Sequence, residues 1–219
     1  MNNNFKAILF DLDGTLIDTA PIIGTILNSI RTEKDLKPLS NNNYREWISL
    51  GANRLIRNAM NDVDFDITTL LLEFRKRYNE TKIPIESLFI GTHTVLERLF
   101  NSGLKLAICS NKPEALCKKT LFDTGLSKYF SLIVGGDTIS KQKPNPEPIE
   151  FILETLGIGS GSALFVGDST VDQKAALAAN IPFIFFSKGY DDGVDRKNTF
   201  LNLDNLNQLV DFIFLEPNI

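Results

Sequence analysis

The sequence has little of what several protein classes require. Its 219 residues include two cysteines, Cys109 and Cys117, which are too few for a disulfide framework or a cysteine-based zinc site. We interpret both as packed thiols in a reducing cytosol, so a cytoplasmic location is expected. The single histidine, His93, is assigned no catalytic part.

Charge and apolar patterning exclude further partners. The net charge is −4 and no run of five or more basic residues is present, so nothing favours binding to nucleic acid. No uninterrupted apolar segment approaches the ~18 residues that cross a bilayer, and the N-terminus lacks the pattern of a signal peptide. We therefore expect no nucleic acid and no membrane as partners, and a chain that acts as a monomer or a homodimer.

The sequence does contain a series of short, nearly continuous apolar runs rich in β-branched and aromatic residues. Five of these runs fall at residues 5–10, 104–110, 131–136, 162–167 and 181–186. Such runs are typical of strands buried on both faces of a parallel sheet. Helical patterns separate the last four runs, at residues 113–124, 146–157 and 170–180. The alternation predicts a doubly wound α/β fold with a mostly parallel, Rossmann-like sheet.

One long segment interrupts this alternation. Residues 16–85 lack a strand-like run and show helical periodicity at residues 21–30, 45–60 and 68–80. We predict a small, all-helical cap domain over residues 16–85, inserted after the first strand. Residues 1–15 and 86–219 would form the α/β core, and the tail, residues 201–219, predicts a short strand followed by a closing helix.

Polar side chains follow four of the predicted strands. In chain order these are Asp11 and Asp13, Ser110 and Asn111, Lys143, and Asp168 and Asp172. Ligands of open α/β sheets bind beyond the carboxyl ends of the strands. If the strands are parallel, all of these side chains converge on one edge of the sheet.

The chemistry of these groups indicates a metal ion and a phosphate. Unpaired carboxylates as close as Asp11, Asp13 and Asp168 would stay partly protonated, whereas a hard divalent cation such as Mg²⁺ allows them to ionise. Mg²⁺ with few protein ligands usually shares its site with a phosphate. Lys143 adds a second positive charge for that phosphate, and Ser110 adds a hydroxyl donor.

Backbone groups complete the predicted anion site. The N–H groups of residues 13–15, which include Thr15, and those at the helix that starts near Lys112 can bind phosphate oxygens. Gly14 allows the backbone to approach the anion closely. With Ser110 and Asn111, these residues are the candidate phosphate-binding set, and a small phosphorylated metabolite is the expected partner.

Four motifs in this order resemble those of the haloacid dehalogenase superfamily of phosphohydrolases. They are DLDGTLID at 11–18, SNK at 110–112, KPNPEP at 143–148 and GDSTVD at 167–172. The match extends over almost the whole chain, and the insert resembles the small helical cap of that superfamily. WISLGANRLIRNAM in the insert and VGGDTISKQKPNPEP in the core are similar to the phosphoglycolate phosphatase branch.

The resemblance implies a role for each motif residue. Asp11 would be the nucleophile that forms an aspartyl-phosphate, and Asp13 would be the general acid and base. Mg²⁺ would be held by Asp11, the backbone carbonyl of Asp13, and Asp168. Lys143 would neutralise Asp11 and a phosphoryl oxygen, and Ser110 would donate to another phosphoryl oxygen.

Two assignments have local alternatives. Asp172 would orient a metal-bound water or Lys143, although an acid in the first turn of a helix is also favoured by the helix dipole. Lys141 lies close to Lys143 in the sequence. Lys143 is preferred because it directly precedes Pro144, as in the family motif.

The cap is expected to select the substrate and to exclude water. The best candidate lining is the loop at residues 48–54, where Gly51 would permit a bend toward the core and Arg54 or Arg57 could pair with a substrate carboxylate. For both arginines a solvated position on the helix face is the alternative. A turn-rich segment at residues 185–195 lies past the fifth strand, and its composition favours an exposed loop over a border of the site.

The leading hypothesis is a Mg²⁺-dependent phosphomonoesterase that acts on 2-phosphoglycolate. Enzymes of the same architecture provide alternatives, namely a sugar phosphomutase and a pyrophosphatase or nucleotidase. A non-enzymatic phospho-accepting switch is the alternative from another class, because receiver domains also cluster acids and a lysine at strand ends. Such a protein would be labelled once by a phosphate donor and would not turn over.

Overall fold

The structure is a computed structural model, and it describes residues 5–61 and 65–214. Its strands are β1 (Ala7–Phe10), β2 (Lys105–Cys109), β3 (Leu132–Val134), β4 (Ala163–Gly167), β5 (Phe183–Phe186) and β6 (Leu201–Leu203). Its α-helices are α1 (Ala20–Glu33), α2 (Asn41–Ile48), α3 (Ala52–Ala59), α4 (Ile67–Glu80), α5 (Thr92–Asn101), α6 (Glu114–Asp123), α7 (Glu147–Leu156), α8 (Thr170–Ala178) and α9 (Asn207–Phe214). Over the described residues, no helix combines the length and the apolar character needed to cross a membrane.

The six strands form one sheet in the order β3-β2-β1-β4-β5-β6, and every neighbouring pair is parallel. The predicted doubly wound α/β fold is confirmed, and each of the five apolar runs contains a strand. The tail also holds the predicted short strand and helix, β6 and α9, while residues 215–219 lie outside the described residues. The chain runs outward from β1 in both directions, so the sheet reverses its order between β1 and β4.

The central strands are apolar at consecutive positions because both faces of the sheet are covered. In β1, Ile8 and Phe10 belong to one buried cluster, and Ala7 and Leu9 belong to a second cluster on the opposite face. The neighbouring strands divide their side chains between the two clusters in the same way. Burying each large aliphatic or aromatic side chain contributes about 1.5–3 kcal/mol, which explains why these runs are continuous rather than alternating.

The helices α1 to α4 lie between β1 and β2 in the sequence and pack on one another. α1 contacts α2, α3 and α4, and α3 contacts α2 and α4. The periodic segment 45–60 is interrupted, because the chain turns between α2 and α3 at Gly51, where φ is +87°. A side chain is strained at that φ, so glycine is favoured at this break. The division into a core and a separate cap domain stays a prediction, with boundaries at residues 15/16 and 85/86.

Parallel register brings the ends of the central strands to one edge. Phe10 is paired with Ile108 of β2 and with Val166 of β4. The polar residues that follow these strands therefore begin at the same height. This edge lies where the sheet reverses its order, the position at which ligands of doubly wound folds bind.

Candidate active site

The segment after β1 folds back on itself and buries two acids. Asp11 continues the pairing of β1, since its N–H donates to the carbonyl of Val166 at 2.9 Å. Asp11 and Asp13 are only 4% and 6% exposed, so neither acid is a solvated turn residue. Gly14 has φ of +89°, and a Cβ there would lie 2.2 Å from Oδ2 of Asp168. Glycine is required at this position because the Asp168 carboxylate occupies that space.

Two buried lysines form ion pairs with different acids of the site. Nζ of Lys143 lies 2.9 Å from Oδ1 of Asp11 and 2.6 Å from Oδ1 of Asp172. Nζ of Lys112 lies 3.0 Å from Oδ1 of Asp13, which also accepts a hydrogen bond from the Thr19 hydroxyl at 2.6 Å. The side chains of Asp11 and Asp13 are thus held by different cations on different segments of the chain.

Asp168 is fixed by hydrogen bonds from two distant segments. The Thr15 hydroxyl donates to its Oδ1 at 2.7 Å, and the backbone N–H of Tyr190 donates to its Oδ2 at 2.6 Å. This finding corrects the expectation for residues 185–195, since Tyr190 is buried and Gly189 packs against Asp168 and the carbonyl of Gly14. The segment borders the site because its backbone holds a site carboxylate.

The Asp172 carboxylate makes contacts of two kinds, with the start of a helix and with Lys143. Its Oδ2 accepts hydrogen bonds from the N–H groups of Asp168 and Ser169, and the Ser169 side chain completes a capping box at the start of α8. Its Oδ1 pairs with Lys143. One carboxylate therefore caps a helix and positions a buried cation.

Ser110 and Asn111 reach the site in different ways. The Ser110 hydroxyl lines the cleft and accepts a weak hydrogen bond from the N–H of Lys112 at 3.4 Å. The amide nitrogen of Asn111 donates to the carbonyls of Ser49, in the α2–α3 turn, and Lys143, at 3.0 and 2.9 Å. Asn111 therefore joins three chain segments, and within the described residues its buried Oδ1 has no hydrogen-bond partner.

These residues line a cleft between the sheet edge and the α2–α3 turn. The residues that line it are Asp11, Asp13, Ile48, Ser49, Ser110, Asn111, Lys112, Lys143 and Asp172. Asp168, Gly14 and Thr15 pack against this set through the contacts given above. Arg54 is exposed on α3 and is not among the lining residues, which matches its solvated alternative, and its contact with substrate stays a prediction.

Burial controls the charge state of the acids. It raises the pKa of Asp11 to about 6, even though Lys143 acts in the opposite direction. Burial, reinforced by the charges of Asp172 and Asp11, raises the pKa of Asp168 well above its ordinary value. Burial opposes the charge of Lys143 as well, but Asp11 and Asp172 hold the pKa of that lysine above its ordinary value.

The acids outnumber the lysines in a way that suits a divalent cation. Four buried carboxylates, those of Asp11, Asp13, Asp168 and Asp172, face the two ammonium groups of Lys112 and Lys143. Oxygens of Asp11, Asp168 and Asp172 lie within 4.8 Å of one another. An all-oxygen donor set with two surplus negative charges fits a hard dication, and binding one would offset the burial and the mutual repulsion that raise the pKa values of Asp11 and Asp168.

Sequence reasoning missed two residues that the structure places at the site. Lys112 stands within the SNK motif and was given no side-chain role, although it directly follows Ser110 and Asn111. Tyr190 lies in a turn-rich segment, where a single aromatic residue between Gly189 and Asp191 was the only available signal.

Comparison with known proteins identifies what this arrangement is similar to. The model of the haloacid dehalogenase-like hydrolase family matches residues 8–186. A phosphoglycolate phosphatase of Rhodospirillum rubrum is 34% identical over 194 residues, which cover 84% of this chain and 80% of the relative. A phosphoglycolate phosphatase of Pseudomonas savastanoi pv. phaseolicola is 31% identical over 213 residues, which cover 94% of this chain and 78% of the relative.

Solved structures give the same result at the level of the fold. The crystal structure of a predicted phosphoglycolate phosphatase from Haemophilus somnus superimposes with a TM-score of 0.89 and 27% identity, covering 95% of this chain and 98% of that one. CbbY from Rhodobacter sphaeroides, solved in complex with phosphate, superimposes with a TM-score of 0.78 and 23% identity, covering 94% of this chain and 96% of that one. The second likeness concerns the fold alone.

Proposed function

Because the chain belongs to the haloacid dehalogenase-like hydrolase family and is a phosphatase, we propose that it hydrolyses small phosphate monoesters through a phosphoryl group carried by Asp11, with 2-phosphoglycolate as the favoured substrate. The observation that carries this proposal is the separation of the first two acids. Asp11 is paired with Lys143 and Asp13 with Lys112, and both pairs line the same cleft. This difference in pairing supports Asp11 as the attacking group and Asp13 as the group that exchanges a proton.

In the first step an oxygen of Asp11 forms a bond to phosphorus, and the bond from phosphorus to the leaving oxygen breaks. Asp13 gives its proton to that oxygen, so an alcohol leaves. Lys143 and the Ser110 hydroxyl, which line the same cleft, stabilise the charge on the oxygens of the transferred group.

In the second step a water oxygen attacks phosphorus while Asp13 takes a proton from that water. The bond between phosphorus and Asp11 breaks, and inorganic phosphate and the free carboxylate are released. Asp13 finishes each cycle with the proton that it gave in the first step. The chain therefore needs no redox partner or second substrate other than water.

Mg²⁺ fits the surplus of carboxylates at this edge. Asp11, Asp168 and the backbone carbonyl of Asp13 would hold it, and when bound it supplies positive charge that keeps the acids ionised and neutralises the phosphate. Asp172 acts through Lys143, which it holds at 2.6 Å. Thr15 and Tyr190 act through Asp168, whose two oxygens they fix.

The experiment that tests this function is a panel of phosphate esters assayed with Mg²⁺. It should contain 2-phosphoglycolate, a hexose 1-phosphate, a nucleoside monophosphate and pyrophosphate, with phosphate release and sugar isomers measured separately. We expect repeated turnover and the highest kcat/KM with 2-phosphoglycolate. Isomerised sugar without free phosphate would indicate a mutase instead, and a single round of labelling without turnover would indicate a phospho-accepting switch.

Mg²⁺ is expected to stabilise the folded protein. At a concentration 100-fold above its dissociation constant, a ligand of the native state adds about 2.7 kcal/mol to the free energy of unfolding. For a chain of this size that corresponds to a rise in Tm of about 5–10 °C. Thermal unfolding followed by circular dichroism, with and without Mg²⁺ at pH 7.5, measures the shift.

Asp168→Asn provides the matched control. The folded-state pKa of Asp168 is raised, so its ionised form costs stability once the pH exceeds the range in which the unfolded carboxyl titrates. Removing that charge is expected to raise the Tm of the metal-free protein and to abolish most of the Mg²⁺ shift. An equal Mg²⁺ shift in both proteins would show that the cation binds elsewhere.

A further inference from the structure

Lys112 is a buried cation that the proposed reaction does not use. It lies between Asn111 and Pro113, at the end of the segment that joins β2 to α6, and is 9% exposed. Its Nζ lies 3.0 Å from Oδ1 and 3.2 Å from Oδ2 of Asp13, and 4.3 Å from the ring centre of Tyr78 on α4. Burying an ammonium group is costly, so its presence here requires compensating interactions.

Lys112 lines two adjoining cavities. The first is the cleft that holds Asp11, Ser110 and Lys143. The lining of the second includes a set of apolar side chains, Ile23, Ile48, Leu55, Phe74 and Leu116. Asp13 and Lys112 line both cavities, and among the residues that the structure describes they are the only charged ones in the lining of the second. A group that leaves phosphorus on the side of Asp13 therefore enters an apolar space with one cation at its entrance.

The two lysines differ in the number of protein carboxylates that pair with them. Lys143 contacts two acids, Asp11 and Asp172. Lys112 forms an ion pair with one acid, Asp13, whose oxygens can occupy at most two of its three N–H donors, and it also interacts with the side chain of Tyr78. Although burial opposes its charge, Asp13 holds the pKa of Lys112 above the ordinary value, so the group remains a cation.

We propose that Lys112 determines substrate specificity by binding a carboxylate on the leaving group, one carbon away from the ester oxygen. This inference rests on the proposed function and deepens it. The leaving oxygen must come within hydrogen-bond distance of Asp13 to receive its proton, and Nζ of Lys112 is 3.0 Å from the same carboxyl group. A carboxylate joined to the leaving oxygen through one carbon therefore reaches the ammonium group.

The walls of the second cavity favour the same class of substrate. Side chains such as Ile23, Leu55 and Phe74 offer no hydrogen bonds, and among the described residues the polar side chains of this lining are those of Asp13, Asn111 and Lys112. Most of the hydroxyl groups of a sugar would therefore lose their water without replacement partners there. A small acid with one carbon between its two functional groups exposes little polar surface to these walls. The preferred class is thus the phosphate ester of a short α-hydroxy acid.

The test compares three substrates that separate carboxylate binding from proton transfer. 2-Phosphoglycolate has the carboxylate and a poor leaving group, 2-hydroxyethyl phosphate has the same leaving oxygen without the carboxylate, and p-nitrophenyl phosphate needs no proton on its leaving group. In Lys112→Met we expect kcat/KM for 2-phosphoglycolate to fall by about 100-fold or more, as on loss of one partner of a buried charge pair. The other two esters should lose less than about tenfold, and Lys112→Arg should recover part of the lost selectivity.

Lys118→Met is the matched control, because Lys118 lies on α6 with its ammonium group exposed and paired with Glu114. It should leave all three rates unchanged. Equal losses of kcat/KM for 2-phosphoglycolate and 2-hydroxyethyl phosphate, with kcat/KM for p-nitrophenyl phosphate retained, would overturn the inference. Lys112 would then act only by positioning Asp13. A loss on all three esters would overturn it as well.

The wild-type enzyme provides a test that does not depend on any variant. Glycolate is expected to inhibit p-nitrophenyl phosphate hydrolysis competitively, at a concentration at least about tenfold lower than ethylene glycol, because the carboxylate gains an ion pair. Equal inhibition by the two would contradict the inference. If the wild type hydrolysed p-nitrophenyl phosphate without preferring the carboxylate ester, the inference alone would fail. Absence of turnover on every ester would refute the proposed function itself.

Discussion

Replacing Asp11 with Asn is expected to abolish turnover of every phosphate ester. The amide is close in shape to the carboxylate but cannot form the acyl phosphate, and loss of a catalytic nucleophile lowers kcat by about 10⁶-fold in well-characterised enzymes. Phosphate release with 2-phosphoglycolate and with p-nitrophenyl phosphate measures the effect. Turnover of both substrates should be lost together, because the proposed nucleophile is the same whichever group leaves.

Stability distinguishes this loss from misfolding. Burial raises the pKa of Asp11 to about 6, above the value of 3.8 for an unperturbed aspartate, so at pH 7.5 its charge costs stability in the metal-free protein. Lys143 keeps Asp172 as a partner in the variant. We therefore expect Asp11→Asn to unfold at a temperature equal to or above that of the wild type. Retained turnover in a folded variant would place the nucleophile elsewhere.

Replacing Lys143 with Met is expected to damage catalysis and stability together. In the proposed reaction the ammonium group neutralises Asp11 and stabilises the transferred phosphate, and comparable cations contribute about 10³–10⁵-fold to the rate of phosphoryl transfer. Its removal also leaves Asp11 and Asp172 as uncompensated buried charges. Breaking a buried ion pair from one side costs about 3–5 kcal/mol, so we expect a large fall in both kcat/KM and the urea midpoint.

The double variant Lys143→Met/Asp172→Asn separates the two effects. It removes one of the unpaired charges, and the Asn side chain can still accept a hydrogen bond at the start of α8. We expect it to recover part of the lost stability while its activity stays as low as that of Lys143→Met. Recovery of activity along with stability would show that Lys143 serves folding and not the reaction.

The positions of the polar residues at the strand ends could be predicted because a local rule fixes them. Asp11, Ser110 and Asp168 each follow a continuous apolar run, and parallel register then brings the ends of the runs to one edge. The reasoning needed only strand length and direction. It required no knowledge of how any side chain was oriented, and the sheet of the structure has the predicted class.

The remaining features of the site depend on contacts between distant segments, which no local sequence pattern predicts. Lys112 contacts Asp13, which lies 99 positions away in the sequence. Whether the lysine faces a helix surface or a cleft depends on how α4 and its Tyr78 pack. The position of Arg54 depends on the phase of a short helix that begins only after the break at Gly51, and the structure leaves its side chain exposed. Periodicity continued across that break, so it could not set the phase.

Tyr190 connects two parts of the molecule through a single residue. Its N–H holds Asp168, while its phenol oxygen donates to Asp18 at 2.8 Å and accepts from the N–H of Ala20, the first residue of α1, at 3.0 Å. Any displacement of α1 from the sheet edge must either break both phenol hydrogen bonds or carry the backbone that fixes Asp168 along with it. In the proposed function, a displacement of α1 that admits substrate and the retention of a cation at Asp168 would thus be thermodynamically linked, and each equilibrium would depend on the other by the same free energy.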